Sequence, residues 1–110
     1  MVKDKKISKI ISDVVDKIKA EYHPEKIILY GSYAYGKPTR HSDIDLFIIK
    51  DTDKDGIQRD VEVKRLIYQP ERRISISPLV YTPAEVKQRL TMGDDFIVEI
   101  VSKGEVLYAR

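Results

Sequence analysis

Apolar residues fall at Ile7, Ile10, Ile11, Val14, Val15 and Ile18, a spacing that places all six on one face of a helix. Pro24 ends that helix, because a proline lacks the amide that continuation needs and pushes the preceding residue out of the helical region. The run KIILY at residues 26–30 reads as a short buried strand closed by Gly31. Residues 31–42 hold two glycines, a proline and small polar residues, so they predict a loop with one helical turn after Ser32. A second strand follows over residues 43–50, then a polar turn over 51–56 and a helix over 57–68.

Residues 73–81 alternate as a third strand does, with Ile74, Ile76 and Val80 on one face and Ser75, Ser77, Leu79 and Tyr81 on the other. Thr82, Pro83 and Glu85 spell a capping box with proline at the first helical position, opening a helix that runs to Met92 and stops at Gly93. Asp94 starts another, with Phe96, Ile97, Ile100 and Val101 on one face. Gly104 ends it, and residues 105–108 form a final strand.

The length of 110 residues suits one core, so residues 1–110 are expected to form a single domain. A hydrophobic share of 42% supports that core, and 35% charged residues of mixed sign give a water-compatible surface. The formal net charge of +2 is too small to make nucleic acid the expected partner. Without cysteine there is no disulfide, thiolate zinc site or cysteine nucleophile, and two histidines cannot build a histidine-only metal cage. No run approaches the roughly 18 apolar residues of a membrane helix, and the charged start MVKDKKISK does not lead into a signal core. A cytoplasmic location and no membrane partner are the expectation, and the chemistry left is that of carboxylates and hydroxyls.

That chemistry concentrates in Gly31, Ser32, ten residues, Asp43, Ile44, Asp45. Asp43 and Asp45 lie two apart on a strand, which sends both carboxylates out of one face roughly 6 to 7 Å apart along the chain. Their repulsion is relieved by a hard cation, and an oxygen-only ligand set suits magnesium supplemented by substrate phosphate. Just past the first strand, Gly31 lets backbone amides approach a phosphate and Ser32 can donate a hydroxyl to it.

The stretch GSYAYGKPTRHSDIDLFII resembles the active-site motif of the DNA polymerase beta nucleotidyltransferase superfamily, in particular its minimal nucleotidyltransferase branch. The SPLVYTPAEV passage and the closing GDDFIVEIVSKGEVLYAR are similar to the same family, so the resemblance covers nearly the whole chain. It implies an α+β fold, a small mixed β-sheet flanked by helices. It also implies magnesium-dependent transfer of AMP from ATP to an acceptor hydroxyl, with Asp43 and Asp45 as catalytic metal ligands and Gly31 and Ser32 as the nucleotide-binding pair.

Two positions depart from the family pattern. Active members carry a third carboxylate on the third strand, where this chain has Ser77, and often a phosphate-binding arginine where it has Tyr35. Glu71 shares the parity of Ser77 but lies six residues away, roughly 20 Å along an extended chain. The same resemblance implies that the protein is the antitoxin of a toxin-antitoxin pair and acts on a HEPN-domain toxin. The alternative is a binding module that neutralises its partner by masking it.

Other readings compete. Alternating acids such as Asp43 and Asp45 also line exposed strands for solubility. Tyr30, Tyr33 and Tyr35 either stack on a base or pack within the loop. Asp51, Asp53, Asp55, Gly56 and Glu62 match a calcium-loop string, although a strand precedes them, and the competing reading makes Asp55 a helix cap. Lys3, Lys5, Lys6 and Lys9, and separately Lys64, Arg65, Arg72 and Arg73, form basic groups read as solvated surface.

Overall fold

A computed structural model describes residues 2–110. Its elements in chain order are α1 (Lys5–Tyr22), β1 (Lys26–Tyr30), α2 (Ser32–Tyr35), β2 (Ile44–Ile49), α3 (Gly56–Leu66), β3 (Ile76–Tyr81), α4 (Pro83–Met92), α5 (Asp95–Lys103) and β4 (Glu105–Ala109). The strands form one mixed sheet in the order β3-β2-β1-β4. β1 runs antiparallel to both β2 and β4, whereas β2 and β3 are parallel and joined through α3.

The strand alternation divides the core between the two faces of the sheet. Ile27 and Leu29 of β1, Ile44, Leu46 and Ile48 of β2, and Val80 of β3 pack with the apolar stripe of α1 and with Val63 of α3. On the opposite face Ile28 and Phe47 pack with Val86 of α4 and with Ile97 and Ile100 of α5, joined at the margin by Leu79 and Tyr81. Asp45 and Ser77 share parity with Phe47 and Leu79, so they belong to the face covered by α4 and α5.

Local signals set most boundaries. The α1 stripe buries Ile11, Val14, Val15 and Ile18, and His23 ends the helix with φ 54° just before Pro24. Thr82 Oγ1 accepts from the Glu85 amide while Glu85 Oε1 accepts from the Thr82 amide, the reciprocal pairing of a capping box. Asp55 and Gln58 make the same arrangement at α3, so Asp55 is a helix cap. Glu62 is held by Lys54 Nζ at 2.6 Å, which engages a second residue of the calcium-like string.

Several expectations require correction. Residues 73–75 are not in β3, which starts at Ile76, and β2 excludes Asp43. The helix expected over 57–68 spans Gly56–Leu66 and leaves Ile57 79% exposed. In α5 only Ile97 and Ile100 are fully buried, while Phe96 and Val101 are 46% and 44% exposed. The four residues span an arc of roughly 140° at 100° per residue, wider than the part of α5 that meets the sheet.

The two edges of the sheet differ. On β3 Pro78 has no amide to offer and the Val80 amide is consumed by Asp60 Oδ1 at 3.1 Å, so this edge cannot extend the ladder. On the other side, β4 has no neighbouring strand beyond it among the described residues, and a register irregularity interrupts its pairing with β1.

Candidate active site

The site forms where β1 ends, β2 begins and β3 begins. Asp45 pairs in register with Tyr30 on one side and with Ser77 on the other, so the residue preceding Gly31 and the third-strand serine flank one carboxylate. Antiparallel pairing of β1 with β2 brings the Gly-Ser turn back to the acids despite the intervening loop. Gly31 then turns the chain with φ 78° and ψ −162°, a conformation essentially reserved for glycine. A Cβ placed there would collide with Asp45 Oδ2 and lie 3.2 Å from Asp45 Cγ. Gly31 therefore makes room for the carboxylate as well as turning the backbone.

Ser32 opens α2 directly after this turn and is half-buried. The Gly31 carbonyl accepts from the Ala34 and Tyr35 amides at 3.0 Å, which fixes the turn, and Gly31 supplies no side-chain cap. Asp43 is exposed and Asp45 half-buried. Burial, and then the charge of Asp43, raise the Asp45 carboxyl above its ordinary value. Neither carboxylate has a hydrogen-bond or ion-pair partner among the described residues. An unneutralised pair of oxygen ligands, one partly desolvated, fits a hard divalent cation with open positions for phosphate and water.

The tyrosines separate in space. Tyr33 packs against the α1-side core, while Tyr30 stands edge-on to Phe96 at 5.8 Å between ring centroids. Burial, with Asp45 second, pushes the Tyr30 hydroxyl up to about 12, so it stays protonated. Tyr35 is exposed, and its hydroxyl is raised by burial first and by Glu99 of α5 second. Phe96 and Glu99 are thus site neighbours that sequence reading missed, because nothing local in α5 marks its approach to α2. Glu71 sits in the turn before β3 and has no register partner on β2.

No group of three or more histidines, cysteines or acids placed to hold a metal occurs among the described residues, the Asp51–Glu62 string included. Nor is any helix among them long and apolar enough to cross a membrane.

Comparison with known proteins bears on the family and the fold. Two proteins of Methanocaldococcus jannaschii, each named "putative protein adenylyltransferase", are similar to the chain. One is 32% identical over 91% of this chain and 96% of its own length, the other 29% identical over 97% and 75%. A crystal structure described as a "putative nucleotidyltransferase" from Sulfolobus solfataricus superposes with a TM-score of 0.64, covering 93% of this chain and 79% of that one at 20% identity, which is a likeness of fold. The family model "Polymerase beta, Nucleotidyltransferase" matches residues 6–110, and the chain belongs to that family.

Proposed function

We propose that the protein transfers AMP from ATP to a hydroxyl of a partner protein, with magnesium held by Asp43 and Asp45. The observation that carries this reading is the convergence of the Gly31-Ser32 turn on an Asp45 carboxylate that has no cationic partner. The names of the two Methanocaldococcus relatives support protein as the acceptor class.

Magnesium, when bound there, would neutralise charge on the triphosphate. Ser32 Oγ and the amides of the Gly31 turn would hold the outgoing phosphates, and the missing side chain of Gly31 lets the Asp45 carboxylate lie close against that turn. The acceptor oxygen forms a bond to the α-phosphorus as the bond to pyrophosphate breaks, and the acceptor loses its proton. Ser77 stands beside Asp45 where the family resemblance calls for a third carboxylate, and a neutral hydroxyl is a poor base. The proton would instead pass to water, to a carboxylate of the site or to a group on the acceptor.

The partner proposed from the resemblance is a HEPN-domain toxin, with this protein as its antitoxin. ATP labelled on the α-phosphate should transfer label to that partner, and ATP labelled on the γ-phosphate should not. Label appearing on neither the partner nor the protein itself would overturn the transferase reading.

A second reading rests on Ser77: a protein of this fold that neutralises its partner by covering it. Asp43→Asn separates the two. Neutralisation retained by a folded Asp43→Asn variant supports masking, and its loss supports transfer.

A further inference from the structure

Cations from three separate parts of the chain converge on one cleft of about 640 Å³: Lys6 of α1, Arg40 before β2, and Arg72 and Arg73 before β3. Arg72 is steadied by its Nη1 bond to the Ile67 carbonyl at 2.9 Å. Lys6, Arg40 and Arg73 are exposed and have no carboxylate partner among the described residues. Two of the four acids lining the same cleft are engaged. Asp4 caps α1 by accepting from the Lys6 and Ile7 amides, and Asp13 pairs with Lys9 at 3.2 Å. Asp43 has no partner among the described residues but belongs to the candidate metal pair, so with a cation bound there Glu71 is the acid left.

Ile7, Ile10 and Ile74 give the cleft an apolar part, and Asp43 lines it too. Net charge does not account for the cluster, since the whole chain carries a formal +2. A cleft with unpaired cations, an apolar patch and a wall shared with the candidate active site is suited to a peptide carrying acidic and apolar side chains.

We propose that this cleft seats an acidic segment of the acceptor protein, its carboxylates on Arg40 and Arg73 and an apolar side chain against Ile7, Ile10 and Ile74. The segment so held presents its hydroxyl on the Asp43 side. This rests on the transferase reading and adds to it the chemical class of the acceptor. A polynucleotide fits less well, because the apolar part of the cleft is aliphatic and its tyrosine, Tyr33, packs against the core instead of standing free to stack on a base.

The test uses the full chain and a fluorescent peptide of glutamate, leucine and serine, with a lysine-for-glutamate peptide as control, followed by anisotropy. The acidic peptide should bind with an affinity that falls as salt rises, and the lysine peptide should not bind. Arg40→Glu with Arg73→Glu should weaken binding about tenfold or more, since attraction becomes repulsion at two contacts. Lys87→Glu with Lys103→Glu, on α4 and α5 across the sheet from α1, should change it by less than about twofold. If circular dichroism shows the first pair unfolded, Arg40→Gln with Arg73→Gln takes its place.

Equal binding of the two peptides, equal loss in both pairs of variants, or tighter binding of oligouridylate than of the acidic peptide would overturn the proposal. Stabilisation by ATP with magnesium, measured on the same samples, separates the two claims. If it is present while the acidic peptide fails to bind, the cleft proposal alone falls. If it is absent while the peptide binds through Arg40 and Arg73, the cleft keeps its ligand class and the transferase reading falls.

Discussion

Gly31→Ala is the substitution that most directly probes how the site is built. The native backbone at this position, φ 78° and ψ −162°, costs a residue with a side chain about 1 to 3 kcal/mol. The added Cβ also meets Asp45, where the oxygen can swing aside but Cγ at 3.2 Å leaves little slack. Taking about 2 kcal/mol in all, and about 4 °C per kcal/mol for a domain of this size, the melting temperature should fall by about 8 °C. Gly36→Ala is the control: it too has positive φ, 81°, but nothing lies within 4 Å of its would-be Cβ. Its penalty should be the left-handed backbone cost alone, about 1 kcal/mol or about 4 °C. In an Asp45→Ala background the Gly31→Ala penalty should shrink, because the collision disappears and the backbone cost stays. A coupling of about 0.5 kcal/mol or more is expected from residues in contact. Differential scanning calorimetry of the four proteins in the cycle, with Gly36→Ala alongside, measures all of this. A Gly31→Ala shift within about 2 °C of wild type, or additive single effects, would refute the close approach of turn and carboxylate.

Asp45→Asn should raise the melting temperature at pH 7, because the folded state holds this carboxyl above 3.8 and its ionisation weakens the fold. The gain should vanish as pH falls below that value, where both states are protonated, and a thermal melt series in pH follows it. Glu85 has the opposite sign. Burial alone would raise its carboxyl, but the Thr82 amide and the Arg59 guanidinium at 2.6 Å outweigh that and hold it low. Its stabilisation is therefore present above 4.5 and lost as pH falls through the lower folded value, so Glu85→Gln should flatten acid unfolding in urea titrations at stepped pH. Asp60→Ala leaves the amide of buried Val80 without its acceptor and should cost about 1 to 3 kcal/mol. Amide exchange at Val80 should quicken in that variant, and unchanged protection would show that the carboxylate does not guard the β3 edge.

The features written in adjacent residues were legible in the sequence. Thr82-Pro83-Glu85 names its own helix start, and the six-residue stripe of α1 needs only a periodicity of 3.6 to be seen. The spacing of Gly31, Ser32, Asp43 and Asp45 pointed to a shared site, and antiparallel β1-β2 pairing is what places them together. The collision awaiting a Cβ at Gly31 was not legible, since it depends on which side of β2 the Asp45 carboxylate leans. The limits of the α5 stripe were hidden for a related reason: periodicity shows which residues share an arc, not how much of that arc a sheet will cover. Arg40 and Arg73 stand more than thirty residues apart, so their meeting across one cleft is a property of the parallel β2-β3 pair, which sets the chain leading into each strand side by side. The string from Asp51 to Glu62 shows the converse, a complete pattern whose Asp55 and Glu62 serve a helix cap and a Lys54 ion pair.

The central claim is that Asp43 and Asp45 hold a divalent cation that bridges ATP to this fold. A thermal shift series with ATP and magnesium together, each alone, and calcium alone, run on wild type and on Asp45→Asn, tests it most directly. At about a hundred times the dissociation constant the ligand adds about 2.7 kcal/mol, which at about 4 °C per kcal/mol is a rise of about 11 °C. The account predicts that rise for ATP with magnesium on wild type and its loss in Asp45→Asn, even though the variant starts from a higher melting temperature. An equal rise in both proteins, or a rise with calcium and none with ATP and magnesium, would contradict it.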